Sequence, residues 1–310
     1  MTAAEQTPLP PDPAFRCSPW TRAHDVDPIG SAGAFDALLL VEWPLPWPPD
    51  VSEIPELARA SAVPGVRVMA VVPQPDATAD GRLTVVHRRR TATNHLAGVD
   101  HRVTRAELPQ LLDTLVAAPL ADHGTLPSVV GDAPSEVLVC GHGRRDACCG
   151  RWGTRLHLEV TDRWAGVRVW RCSHTGGHRF APTAITLPDG RAWAYVEAEL
   201  LDGVVRRTGD LRVLAAHDRG TTALDPWAQV VERGVFEHVG WPWLDRSLES
   251  SSTDVAPDGR SATVTLSWSG GSAVGEVEVA RVLPVLVCGE PPEHAVKSSP
   301  ELALRDLRIS

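Results

Sequence analysis

The sequence predicts a protein of the α/β class. Short apolar strands alternate with amphipathic helical segments through most of the chain. The second half runs strand, helix, strand, hairpin, helix, and the first half repeats a similar order. Four of the six cysteines lie between positions 140 and 172, with two histidines following at once, so the chemistry is expected in the second half.

At 310 residues, 43% apolar and 22% charged, the chain suits two modest globular domains. Residues 1–30, rich in Pro and Asp, read as an irregular arm. An N-terminal α/β domain is expected over 31–122. In it Ala37–Trp43 reads as a buried strand and Ser52–Ala62 as a short helix capped by Ser52. Gly65–Val72 and Arg82–Arg88 follow as strands, with a weaker one near His101–Val103. A helix over Arg105–Ala118 places Leu108, Leu111, Leu112 and Leu115 on one stripe. Gly124, Pro127, Gly131 and Pro134 mark a linker over 123–134.

The second domain is expected over 135–245. Glu136–Cys140 is an apolar strand ending at a cysteine, and a helix is predicted from about Cys149 to Asp162. Val167–Cys172 alternates like a strand and stops just before the histidines. Pro182–Leu187 and Ala192–Val196 flank the turn Pro188-Asp189-Gly190, and a helix over Glu197–Arg207 closes the unit. This is the order of a thioredoxin-like domain, so the first half reads as a degenerate second copy. Pro226–Val239 is a further helix. In the extension over 246–310, Ser261–Trp268 and Glu276–Val282 form a last hairpin, and the tail from Gly289 reads as a surface arm.

A net charge of −9 argues against a nucleic-acid partner, and no run approaches the roughly 20 apolar residues of a membrane span. The first residues lack a basic segment followed by an apolar one, so a cytoplasmic location is expected.

The first motif reads Cys140-Gly-His-Gly-Arg-Arg-Asp-Ala-Cys148-Cys149-Gly150. A cysteine at a strand end, a glycine-containing loop and a second cysteine at a helix start can wrap an ion or cluster, and the helix N-terminus favours thiolates. The second motif, Cys172-Ser-His174-Thr-Gly-Gly-His178-Arg179-Phe180, sets two histidines around a glycine turn, which suits convergent ligation better than a helix face. Cys172 is expected to point away from His174 into the core. Trp152, Trp164, Trp170 and Trp193 are expected to fill the core near the site.

These residues resemble the sucrase/ferredoxin-like family, which joins a Cys-Gly-His-x-x-Arg-Asp-x-x-Cys-Gly segment to a Ser-His-x-Gly-Gly-His-Arg-Phe-Ala segment. The resemblance implies a thioredoxin-like ferredoxin module holding a [2Fe–2S] cluster, with His174-x3-His178 in the place of a second cysteine pair. It further implies Cys140 and Cys149 on one iron and His174 and His178 on the other. Cys148 is then a spare thiol or a buried neighbour. Two imidazoles for two thiolates raise the expected potential toward the Rieske range of about −150 to +300 mV, above the roughly −400 mV of plant-type ferredoxins.

One-electron transfer or redox sensing with an unidentified partner follows, rather than catalysis on a substrate. Two other readings of the same residues are a structural Cys2His2 zinc site and a metal-free thiol enzyme.

Overall fold

A computed structural model describes residues 14–74 and 80–310. Residues 1–13, which include the first part of the expected arm and the segment read for a signal peptide, lie outside the described residues.

The first half contributes strands β1 (Ala37–Glu42), β2 (Val66–Val71), β3 (Leu83–Arg90), β4 (Leu96–Val103) and β5 (Val129–Asp132). The second half contributes β6 (Ser135–Cys140), β7 (Val167–Cys172), β8 (Ala184–Leu187), β9 (Arg191–Trp193) and β10 (Asp218–Thr221). All ten form one sheet in the order β10-β9-β8-β6-β7-β2-β1-β3-β4-β5.

The halves repeat a single topology. β1 runs parallel to β2 and antiparallel to β3, which pairs with β4. Likewise β6 runs parallel to β7 and antiparallel to β8, which pairs with β9. Helices α2 (Pro55–Ser61) and α4 (Thr154–Val160) occupy matching crossovers. Helix α3 (Leu108–Ala117) precedes the edge strand β5, as α5 (Ala198–Val205) and α6 (Leu211–Ala215) precede β10. The two units meet at β2 and β7, which pair antiparallel through Val71 and Cys172.

Alternation in the strands sets the layers. Leu39, Val41, Val68 and Val85 face α2 and α3, where Leu108, Leu111, Leu112 and Leu115 are buried as their spacing predicts. Val137, Val139 and Val169 face the helices of the second half. The opposite faces of both units share one cluster that includes Leu38, Leu40, Met69, Leu138, Trp170, Ile185 and Cys172. At the end of β6 away from Cys140, buried Glu136 accepts from Arg88 Nε and Trp170 Nε1, each at 2.7 Å, and pairs with Arg168. That network ties the halves together.

Helix α7 (Pro226–Val239) carries a second sheet, a meander of β11 (Leu248–Val255), β12 (Ser261–Trp268), β13 (Gly271–Pro284) and β14 (Ser298–Ile309). Four expectations need correction. The tail is no surface arm, because β14 pairs with β13 and buries Leu302. Two register shifts in that pairing break the period-2 pattern, which is why it does not read as a strand. The presumed arm contains α1 (Cys17–Ala23), stabilised by burial rather than by a side-chain cap. The presumed linker contains β5, a largely exposed edge strand with little hydrophobic signal. The turn after β1 is capped by Asp50, which accepts from the Ser52 N–H at 2.9 Å, and not by Ser52.

Candidate metal centre

β6 delivers Cys140 to the sheet edge, and the chain then folds back so closely that only glycine fits. A Cβ at Gly153 would lie 1.8 Å from the Cys140 carbonyl oxygen, and one at Gly150 would lie 2.4 Å from Gly143 Cα. The π-turn Cys149–Gly153 therefore begins against the end of β6. Cys140 and Cys149 are fully buried in one cluster. The neighbouring Cys149 thiol holds the Cys140 thiol well below the ordinary range, with His174 adding to the effect. Beside Cys140 in a buried site, the Cys149 thiol is pushed up.

The second loop leaves β7 at Cys172. Gly176 and Gly177 turn it with φ of 87° and 62°, a left-handed backbone that suits glycine. The turn sets the rings of His174 and His178 with centroids 5.6 Å apart. His174 Nδ1 is buried without a hydrogen-bond partner. His178 Nε2 donates to the Leu286 carbonyl at 2.8 Å, which leaves Nδ1 as the nitrogen free to ligate. Burial pushes the His178 pKa down, favouring the neutral form a metal requires. A buried ring nitrogen without a hydrogen-bond partner and two buried thiols are donor types that metals and clusters take.

Cys172 packs in the shared core, as alternation predicts. Trp164, Trp170 and Trp193 are buried in the cores around the sheet, whereas Trp152, half-buried, packs against the thiols.

Cys148 turns away from Cys149's partner and joins a separate group. Its sulfur lies 3.2 Å from that of Cys288 and 3.9 Å from that of Cys17, and Cys17 and Cys288 are 3.6 Å apart. Asp146 carboxylate oxygens lie 3.4 Å from the sulfurs of both Cys17 and Cys288. Asp146 also accepts the Cys148 N–H at 2.9 Å and the Cys288 N–H at 3.2 Å. Burial, then the charge of Cys288, pushes its pKa up to about 6. These four side chains could hold a metal ion. Sequence reasoning missed this group, since 131 residues separate Cys17 from Cys148 and 140 separate Cys148 from Cys288. No local spacing signals it.

Two arginines, the half-buried Arg67 and the fully buried Arg219, were also missed. Arg67 of β2 donates to the His174 carbonyl, so the first half contributes to this site. Arg219 of β10 donates to the Gly176 carbonyl at 3.1 Å and to Ser31. Both sit in strands, where their roles have no sequence signature.

The Sucrase/ferredoxin-like family model matches residues 28–220. The chain belongs to this family. In this Sucrase/ferredoxin-like protein the matched region takes in both motif loops, Asp146 and Cys148, and leaves out Cys17 and Cys288. Comparison with curated proteins and with solved structures gives no match. No helix among the described residues is long and apolar enough to cross a membrane.

Proposed function

We propose that this protein is a thioredoxin-like ferredoxin of the cytoplasm, which binds a [2Fe–2S] cluster through Cys140, Cys149, His174 and His178 and passes single electrons to a redox partner or senses their supply. The observation that carries the reading is the unpartnered, buried Nδ1 of His174 together with the fully buried Cys140 and Cys149 thiols. The repeated strand order supports the thioredoxin-like part, because a β-α-β unit followed by an antiparallel hairpin is the core of that fold.

The bound cluster would supply reversible one-electron chemistry. The chain's residues hold it and set its electrostatics. Two thiolates and two neutral imidazoles leave a formally neutral oxidised centre, which accepts an electron more readily than a four-thiolate one. Arg67 and Arg219, whose charges act on Cys140, favour the added negative charge. His178 is oriented by Leu286, and the His174 backbone is held by Arg67. A cavity of about 280 Å³ opens against His174 and is lined by Arg67, Arg145 and His142, giving the partner a route to the histidine side.

Anaerobic purification with iron and sulfide analysis, absorption and EPR tests this reading. Equal iron and sulfide, visible absorption and an EPR signal on reduction are expected, all lost in Cys140→Ala. A colourless chain whose zinc disappears in Cys140→Ala would instead make the site a Cys2His2 zinc centre. Reversible thiol oxidation with no metal would make it a thiol enzyme.

A further inference from the structure

The thiol group beside the proposed cluster has a geometry of its own. Three sulfurs stand 3.2, 3.6 and 3.9 Å apart, and the Asp146 carboxylate sets one oxygen 3.4 Å from the Cys17 sulfur and the other 3.4 Å from the Cys288 sulfur. A tetrahedral zinc with Zn–S of about 2.3 Å and Zn–O of about 2.0 Å requires S···S edges near 3.8 Å and S···O edges near 3.5 Å. The observed edges bracket or approach those values. They are far too long for a disulfide, whose sulfurs stand about 2.05 Å apart. Three thiolates are too soft a set for calcium or magnesium.

We propose that Cys17, Cys148, Cys288 and Asp146 form a structural zinc site, distinct from the Cys140 centre, that fastens α1 and the β13–β14 connection to the loop between β6 and α4. Zinc entry displaces three thiol protons and leaves four protein ligands with no open position, the pattern of a structural site. Cys17, Cys148 and Asp146 are 0%, 1% and 4% exposed, so the ion is shielded. Cys288, only half-buried, marks the side of entry. The ligands are supported from the backbone, since the Cys148 and Cys288 amides donate to Asp146 and the Gly289 amide donates to the Phe15 carbonyl at 3.1 Å.

The site explains the adjacent cysteines. Cys148 and Cys149 start one turn and point to different centres, one thiol for each. The connection carrying Cys288 also carries Leu286, whose carbonyl holds His178. Zinc would thus brace the proposed iron site without touching it.

The full-length protein, expressed with zinc and iron supplied and purified anaerobically, tests this by elemental analysis and zinc-edge X-ray absorption. The expected result is one zinc per chain in a three-sulfur, one-oxygen shell. Cys288→Ser and Cys17→Ser should lose that zinc while keeping iron and the visible spectrum, and Cys140→Ala should do the reverse. The wild-type measurement stands even where a variant fails to fold. No zinc in the wild-type chain, zinc in a two-sulfur, two-nitrogen shell, or a disulfide joining any two of these cysteines on mass spectrometry would each overturn the proposal. Zinc retained with no iron would sink the [2Fe–2S] reading and leave this one standing.

Discussion

The two halves of the large sheet share a topology and differ at the same end of it. The register makes Glu42 the counterpart of Cys140, and Val71 the counterpart of Cys172, each pair being the last one across its parallel strands. Backbone bonds repeat as well. Trp43 N–H donates to the Val71 carbonyl at 2.9 Å, and Gly141 N–H donates to the Cys172 carbonyl at 3.0 Å. Beyond that point the chemistry divides. In the first half, the Glu42 carboxylate accepts the Gln74 amide at 3.0 Å and the Thr84 amide at 2.6 Å, so it stitches the strand ends together. In the second half a thiol takes that position, glycines replace the Trp-Pro segment, and the next strand ends before two histidines. One scaffold thus carries a closed structural end and, in the function proposed above, a ligating one.

The strongest way to break this comparison is to exchange roles. Cys140→Ser or Cys149→Ser should abolish bound iron and visible absorption, while Glu42→Gln should lower stability and leave the spectrum intact. A spectrum that survives in either cysteine variant would remove the functional asymmetry.

The seam between the halves comes next. Glu136 is fully buried and serves Arg88, Arg168 and Trp170. Replacing it with Ala leaves the buried Arg88 without a carboxylate, while Arg168 keeps Asp100, with a cost of about 3–5 kcal/mol in chemical denaturation. Metal content in the folded fraction should not change, because the network lies at the far end of β6 from Cys140. A cost below about 1 kcal/mol would show that the seam owes little to this network.

A smaller effect separates the histidines. In the first half, burial pushes the pKa of both His87 and His101 down to about 4. Both are neutral in the fold and free to protonate when unfolded, near pH 6.5. Their stability contribution is complete above about pH 6.5 and is lost as pH falls toward 4, by a few kcal/mol in all. His87 Nε2 donates to the Pro119 carbonyl at 2.9 Å, a bond glutamine can replace. Denaturation midpoints at pH 7 and pH 4.5 should differ less in His87→Gln than in the wild-type chain. An unchanged difference would show that this histidine does not set the acid sensitivity.

Much of this architecture is legible in residue patterns. The α3 stripe, the strands ending at Cys140 and Cys172, the Pro188-Asp189-Gly190 turn and the Pro226–Val239 helix all follow from local periodicity and turn chemistry. The parts that escaped depend on partners distant in the chain. α1 has no side-chain cap and forms because Cys17 and Ser18 are buried, with Ser18 Oγ donating to the Ala181 carbonyl at 2.5 Å. β14 alternates around shifts in register that are visible only against β13. Arg67 and Arg219 have no pattern to distinguish them from the many surface arginines.

The sequence by itself determined the α/β class, the two motif loops and the residue types able to bind metal, because each depends on spacing within a few residues. Only the tertiary structure decided how the adjacent thiols divide. Close packing of Gly150 and Gly153 sets Cys149 against the end of β6, and the packing of α1 and the β13–β14 connection brings Cys17 and Cys288 to Cys148. The physical reason is that a donor set is defined by distances of a few ångströms. Local spacing sets such distances within one loop, whereas residues more than a hundred positions apart meet only when the whole chain has folded.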